Sequence, residues 1–126
     1  MTKAFDFSGV WHSVYNYTSS SKPGSFTSEY DVKIQSIGNQ VIMQSIPNDY
    51  GDYVLIRATQ DDRVLTGTWH EQTSPKGPYK GAAYYGAIQL VISEDGNSID
   101  GKWVGFDRQM NVRCDNWKLT RIKQKA

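Results

Sequence analysis

Turn-forming residues interrupt this chain at short, regular intervals, and this feature constrains its fold more than any other. Clusters of Gly, Asn, Asp, Pro and Ser separate eight segments rich in Val, Ile, Thr and Tyr: 9–17, 26–36, 40–46, 52–60, 63–72, 79–93, 98–106 and 111–122. Several of them alternate; Tyr30, Val32 and Ile34 alternate with charged or polar neighbours, as in a strand with one buried face. No segment shows a helical pattern. The sequence therefore predicts an all-β fold.

The connections between these segments alternate in length. Those at 37–39, 61–62 and 94–97 are tight and rich in the residues of hairpin turns, whereas the others are longer and contain Pro, Gly, Ser and aromatic residues. In an up-and-down meander, alternate loops lie at the same end. The pattern predicts an eight-stranded antiparallel up-and-down β-barrel, with one closed end and a mouth carrying the longer loops.

Length and composition limit the organisation and the partners of the chain. A chain of 126 residues suits one domain, here the barrel at 9–122, with a lead-in at 1–8 and a tail at 123–126. The 14 Lys and Arg residues nearly balance the 13 Asp and Glu residues, which argues against a duplex nucleic-acid binder. No apolar run is long enough for a membrane helix. Residues 1–7 lack the pattern of a signal peptide, so a bacterial-type cytoplasm is the expected location.

Three Gly-x-Trp triplets, at 9–11, 67–69 and 101–103, occupy matching positions on three predicted strands. Residues two apart share a face of the sheet, so each Gly lies beside its Trp. A missing side chain either leaves room for a neighbouring indole or relieves the bend that barrel closure requires. The triplets support the barrel in either case.

Two features of the strand ends carry a family resemblance. Ser8-Gly9-Val10-Trp11 on the first strand, together with Arg121 on the last, resembles the signature of the calycin superfamily. In that superfamily the first-strand Trp closes the barrel floor, and in lipocalins a last-strand Arg packs across it. The Gly-x-Trp repeats and the ending at 116–121 are similar to avidins, whereas the lipocalin Thr-Asp-Tyr motif is absent. The resemblance implies a fold and does not imply a ligand.

A second resemblance covers 66–75, 79–82 and 101–106, together with the final Trp-x-Leu-Thr strand. These stretches resemble a barrel module found behind helix-turn-helix regions in bacterial regulators, which implies a sensor that works with a partner module. The architecture alone is also similar to the β-barrel effectors of CBASS antiphage systems, which bind cyclic dinucleotides.

Strand alternation predicts which side chains line the upper half of the barrel. With the Trp of each triplet and the last-strand Trp and Arg pointing inward, the candidate ligand-binding residues are Tyr15, Tyr17, Glu71, Tyr84, Trp103 and Arg113. Aromatic faces stack on planar ligands, an Arg binds an anionic group, and Glu71 accepts hydrogen bonds. We expect a sensor of a planar anionic ligand, such as a nucleotide or a cyclic dinucleotide. The alternative is that Glu71 and Arg113 pair with each other and the aromatic rings fill a solid core.

The sequence favours a binding protein over an enzyme, and other functions stay open. His12 and His70 are expected to face outward, the lone Cys114 has no partner for a disulfide, and no metal, cofactor or catalytic residue is predicted. An isomerase or cyclase using Glu71 as general acid and base is one alternative. Another is a protein-interaction module with a filled core. The outward apolar residues fit self-association or docking to a partner protein: Val10, Val14, Val104 and Phe106.

Overall fold

Eight antiparallel strands form a closed barrel in the computed structural model, which describes residues 8–18, 24–47, 52–76, 81–106 and 109–122. Each strand pairs with the next along the chain, and the last pairs with the first, which confirms the predicted up-and-down topology. The strands are β1 (Gly9–Thr18), β2 (Ser25–Ile37), β3 (Gln40–Ser45), β4 (Tyr53–Asp61), β5 (Val64–Gln72), β6 (Ala83–Ile92), β7 (Ser98–Phe106) and β8 (Val112–Arg121).

Seven of the eight predicted strands match the structure to within one residue at each end, and the sixth does not. Its start was predicted at residue 79, but β6 begins at Ala83. Gly81 has a positive φ of 78° and its N–H donates to the Ser74 carbonyl, while the N–H of Thr73 donates to Ala82. The end of the β5–β6 connection is thus a turn. Residues 79 and 80 lie outside the described residues.

The tight connections lie together at one end of the barrel, as predicted. Gly38, Asp62 and Gly96 in these turns have positive φ angles of 60°, 55° and 75°. Left-handed conformations of this kind let a short loop follow the twist of its two strands. The longer connections lie at the opposite end, and parts of them, at 19–23, 48–51, 77–80 and 107–108, lie outside the described residues, as do 1–7 and 123–126.

Trp11 and Arg121 close the end that carries the tight turns. The two residues are paired in register on β1 and β8, and the guanidinium carbon of Arg121 lies 4.7 Å from the centre of the Trp11 ring. The Arg121 side chain also donates to the carbonyl of Gly96, with Nη2 at 3.3 Å. Trp11 is completely buried. The predicted floor is therefore present, and it joins β1 and β8 to the β6–β7 turn.

The lower half of the barrel is filled with apolar side chains from β2 to β8, which pack together with Trp11 of β1. Their burial supplies the main stabilising term, at roughly 1.5–3 kcal/mol for each fully buried large residue. The residues of this core with almost no exposed surface are Val32, Ile34, Val41, Met43, Ile56, Leu65, Leu90, Ile92, Ile99 and Leu119. A ligand would therefore have to bind nearer the mouth.

The glycines of the strands serve two different purposes. A Cβ on Gly67 or Gly101 would overlap the backbone of the adjacent strand, so these two glycines permit the close strand approach that a small barrel requires. Room for an indole is instead provided by Gly86 and Gly105, which lie beside the ring of Trp69; a Cβ on Gly105 would be 2.6 Å from its Cζ2 atom. The glycines next to an indole are thus not the ones in the Gly-x-Trp triplets.

Candidate functional site

The six residues predicted to bind a ligand all lie on the inner wall, in the half of the barrel towards the mouth. The strand registers show this placement, because each of them is an even number of positions from a buried residue on its own strand. Glu71 and Tyr84 are direct cross-strand partners on β5 and β6. The residues are Tyr15 and Tyr17 on β1, Glu71 on β5, Tyr84 on β6, Trp103 on β7 and Arg113 on β8.

Glu71 and Tyr15 form a partly buried hydrogen bond on this wall. The Tyr15 hydroxyl donates to Oε2 of Glu71 at 3.0 Å. The two residues lie on β1 and β5, which are four strands apart around the closed barrel. Burial raises the pKa of Glu71 above its ordinary value; the hydrogen bond from Tyr15 lowers it in part, and the negative charge of Asp52 raises it further. Glu71 is therefore a carboxyl whose neutral form persists to higher pH than usual.

Tyr30 and Ser13 extend this polar cluster towards the floor. Ser13 is fully buried, and its hydroxyl accepts a hydrogen bond of 2.7 Å from Nε1 of Trp117. The Tyr30 hydroxyl is buried and makes no hydrogen bond within the described residues. Burial raises the pKa of Tyr30 far above its usual range, the neighbouring Ser13 hydroxyl lowers it in part, and the Glu71 charge raises it further. A buried hydroxyl without a hydrogen bond of standard geometry is unusual in a native protein.

Tyr30 was missed as a site residue, although its alternation with Val32 and Ile34 correctly predicts that it points inward. What brings it to the site is the register of two strands, since Tyr30 on β2 lies opposite Ser13 on β1. That register depends on the length of the β1–β2 connection, which the residue pattern of β2 does not specify.

Aromatic rings surround the polar cluster. The Tyr15 ring lies 5.2 Å from Trp117, 5.8 Å from Tyr17 and 5.8 Å from Tyr30, measured between ring centres. Tyr17 in turn stacks on Phe26 at 5.6 Å, with 28° between the ring planes. The cluster thus combines flat apolar surfaces with a few polar atoms, which is the usual composition of a small-molecule site.

Trp103 has a structural task that the sequence did not reveal. β1 pairs with β8 from Trp11 to Tyr15. Beyond Tyr15, towards the mouth, the two strands are not paired with each other. The indole of Trp103 spans this separation, and its Nε1 donates to the carbonyl of Asn16 on β1 at 3.0 Å. Because its N–H is engaged by the backbone, Trp103 offers a ligand only its ring surface.

Arg113 lies on the inner wall near the mouth, half-buried and opposite Gly105. The ion pair between Arg113 and Glu71, considered in the sequence analysis, is not what holds the Glu71 carboxyl. A guanidinium beside this carboxyl would lower its pKa, whereas the pKa is raised and the hydrogen bond comes from Tyr15.

The two histidines lie on the outer surface, as predicted. His12 contacts Asp31 at 2.9 Å and Glu29 at 3.5 Å, and His70 stacks on Tyr85 with 4.8 Å between ring centres. Among the described residues, no group of three or more His, Cys, Asp and Glu side chains is placed to hold a metal ion. The same part of the chain contains no helix long and apolar enough to cross a membrane.

No protein-family model matches the chain, and no curated protein matches it.

Proposed function

We propose that this protein is a calycin-like barrel that binds a small, planar, anionic ligand of the nucleotide or cyclic-dinucleotide type and acts as a cytoplasmic sensor. The observation that carries the proposal is the half-buried Glu71 carboxyl, held by the Tyr15 hydroxyl among aromatic rings on the inner wall. Burial of this carboxyl raises its pKa, so its charged form is less stable in the ligand-free barrel than in water. Groups with perturbed pKa values of this kind concentrate at functional sites.

The residues around Glu71 supply the other contacts that a nucleotide needs. Tyr15, Tyr17 and Tyr84 provide aromatic surface for a planar base, and the ring of Trp103 adds to it from β7. Arg113 is nearer to the mouth than Trp103 and carries the positive charge for a phosphate. This distribution favours an orientation in which the base points into the barrel and the phosphate points towards the mouth.

The closed floor supports the calycin-like assignment. Trp11 and Arg121 occupy the positions that the resemblance implies, and they lie at the end opposite the proposed site. These two residues stabilise the barrel and leave the mouth-side half for the ligand. The resemblance to a regulator module is what supports a sensing role.

Arg113→Ala tests the anion contact. We expect the affinity for the tightest-binding member of a panel of GMP, AMP, cyclic di-GMP and cyclic di-AMP to fall by roughly 10- to 100-fold, the effect of losing a charge-assisted hydrogen bond. Titration calorimetry measures the affinity, and a thermal-shift screen of the same panel identifies the ligand, because binding to the native state raises its stability.

The matched control is Lys118→Ala, which removes a cation from the outer face of the same strand. It should leave the affinity unchanged. Unchanged affinity in the Arg113 variant, or loss of its β-sheet circular dichroism signal, would contradict the assignment of Arg113. If no member of the panel binds the wild-type barrel, the proposed function itself is wrong and the interaction-module alternative is favoured.

An isomerase or cyclase is the second candidate, and the raised pKa of Glu71 is the observation that favours it. A carboxyl that keeps its proton can act as a general acid in an apolar chamber. In that case Glu71→Gln would abolish turnover of an apolar substrate while leaving substrate binding in place. For a binding protein, the same variant alters affinity and there is no turnover to lose.

A further inference from the structure

The inner end of the proposed site contains hydrogen-bonding groups that the protein itself does not satisfy. Glu71 receives a hydrogen bond from Tyr15 at Oε2, and none from the described residues at Oε1. The Tyr30 hydroxyl is buried and forms no hydrogen bond of standard geometry in that part of the chain, although the Ser13 hydroxyl, which accepts from Trp117, lies beside it. A carboxylate has about four acceptor positions and a tyrosine hydroxyl both donates and accepts. Several hydrogen bonds are therefore left for a bound molecule to complete.

The two groups lie close enough to contact one molecule. The rings of Tyr15 and Tyr30 are in edge-to-face contact at 5.8 Å, and Tyr15 reaches Glu71 directly. The rings of Tyr17 and Trp117 pack on that of Tyr15, and together they offer flat apolar surface that a planar molecule matches best. It must also present hydrogen-bond donors to the carboxylate and, next to them in the same plane, an acceptor for the Tyr30 hydroxyl.

We infer that the inner end of the site binds a guanine base, with Glu71 accepting from N1–H and the 2-amino group and Tyr30 donating to O6. This inference rests on the proposed function and specifies its ligand. Guanine presents two adjacent N–H donors, which a carboxylate binds with two parallel hydrogen bonds, and its carbonyl oxygen lies beside them. These donors also replace the water that the carboxylate loses on burial.

Other bases fit these groups less well. The corresponding edge of adenine has an unprotonated nitrogen, N1, next to its amino group, and the lone pair of N1 would face a carboxylate oxygen. Cytosine has the same mismatch, and uracil offers a single N–H between two carbonyl oxygens. A buried polar group that is left unpaired costs about 1–3 kcal/mol, which corresponds to about 5- to 150-fold in affinity.

Binding of GMP, IMP and AMP to the wild-type protein tests the inference directly. IMP retains O6 and N1–H of the guanine base and lacks only the 2-amino group. We expect GMP to bind at least about tenfold more tightly than IMP, and AMP to bind no better than IMP. Cyclic di-GMP should likewise bind more tightly than cyclic di-AMP. Equal affinity for GMP and AMP would overturn the inference.

Glu71→Gln tests the role of the carboxylate without removing the acceptor for Tyr15. A glutamine amide offers one donor and one acceptor, which matches N1 and the 6-amino group of adenine. We expect this variant to bind GMP at least about tenfold more weakly and to bind AMP more tightly than the wild-type protein does. An unchanged ratio of the two affinities would contradict the assignment.

Tyr30→Phe tests the second contact, and Tyr53→Phe on the outer side of β4 is its matched control. Loss of the Tyr30 hydroxyl should weaken GMP about 5- to 10-fold. The affinity for AMP, which carries an amino group in place of O6, should fall much less. The control variant should change neither affinity.

The results separate this inference from the proposed function. One outcome is that nucleotides bind without a preference for guanine, with an affinity that Arg113→Ala lowers. In that case the guanine inference is wrong and the proposed function stands. If no nucleotide binds, both are wrong. A guanine preference that survives Glu71→Gln unchanged would also overturn the inference, since another group would then contact the base.

Discussion

Glu71 shows that the position of a side chain and its environment are set by different features of the fold. Its inward position follows from strand alternation, but its environment is set by side chains from other strands, chiefly Tyr15 from β1 and Tyr30 from β2. Burial raises the pKa of its carboxyl, and the negative charge of Asp52 adds to this effect. We interpret this as a group prepared for a ligand, because an apolar or amide side chain would serve the fold better.

The stability of Glu71→Gln relative to the wild-type protein should depend on pH. The folded-state pKa of Glu71 is raised above its ordinary value of 4.5, so between these two values the unfolded chain releases a proton that the folded chain retains. The wild-type protein therefore loses stability as pH rises through that window, and the Gln variant does not.

We expect the Gln variant to gain stability over the wild-type protein from about pH 4.5 upward, with a plateau above the raised pKa, and to show no gain below pH 4.5. Urea denaturation across this pH range measures the difference. Among the described residues, Tyr15, Tyr30, Tyr84 and Asp52 lie close to Glu71, Arg113 is on the same inner wall, and all of them remain in the variant. A difference that does not vary with pH would contradict the assignment.

At the scale of elements, the packing of β5, β6 and β7 depends on glycines that accept one indole. Trp69 on β5 lies over Gly86 on β6 and beside Gly105 on β7, and its Nε1 donates to the carbonyl of Val104 at 3.1 Å. The same indole meets Trp103 edge to face at 5.7 Å. Two tryptophans thus connect four strands, because Trp103 continues the contact to β1 through Asn16.

Gly105→Ala should destabilise the barrel by about 1–3 kcal/mol, since its Cβ would lie 2.6 Å from Cζ2 of Trp69. Adding Trp69→Phe shortens the ring that causes the overlap and should recover part of this loss in a double-mutant cycle. Denaturant unfolding of the single and double variants measures the coupling.

Gly67→Ala is the matched control for that cycle. Its Cβ would overlap the backbone of Arg57 and Ala58, which no side-chain truncation relieves. The Gly67→Ala variant should remain as destabilised when Trp69→Phe is added as it is without it. Equal recovery in both pairs would mean that the indole is not the source of the effect at Gly105.

At the scale of the whole molecule, barrel closure depends on contacts between the first and the last strand. Five residue pairs join β1 to β8, and Arg121 adds side-chain contacts to Trp11 and to the Gly96 carbonyl. These contacts bridge nearly the full length of the sequence. They form only when all eight strands are in place, so they should act on stability and leave the ligand site unchanged.

Arg121→Ala should lower the free energy of unfolding by about 1–3 kcal/mol through loss of the cation–π contact and the hydrogen bonds to backbone carbonyls. Lys118→Ala on the outer face of the same strand should change it by less than about 0.5 kcal/mol. Urea denaturation provides both values. Nucleotide affinity should be unchanged in the Arg121 variant, and a loss of affinity would mean that the floor and the site are coupled.

The local pattern of residues determined the strands, the turns and the two faces of the wall. Alternation placed Tyr15, Glu71 and Arg113 inward, and Gly, Asn and Asp at the tight turns placed the closed end, because these preferences act over a few neighbouring residues. The floor contact of Trp11 with Arg121 was also predictable, since eight antiparallel strands return the chain to its starting point.

Only the tertiary structure decided which inward residues meet. Tyr30 reaches the site through the β1–β2 register, Trp103 bonds to Asn16 where β1 and β8 separate, and Glu71 bonds to Tyr15. These contacts join strands that are distant in sequence, and they depend on loop lengths, strand stagger and twist across the whole barrel. No short-range preference encodes them, because a shift of register by two residues keeps every side chain on its face and changes all its neighbours.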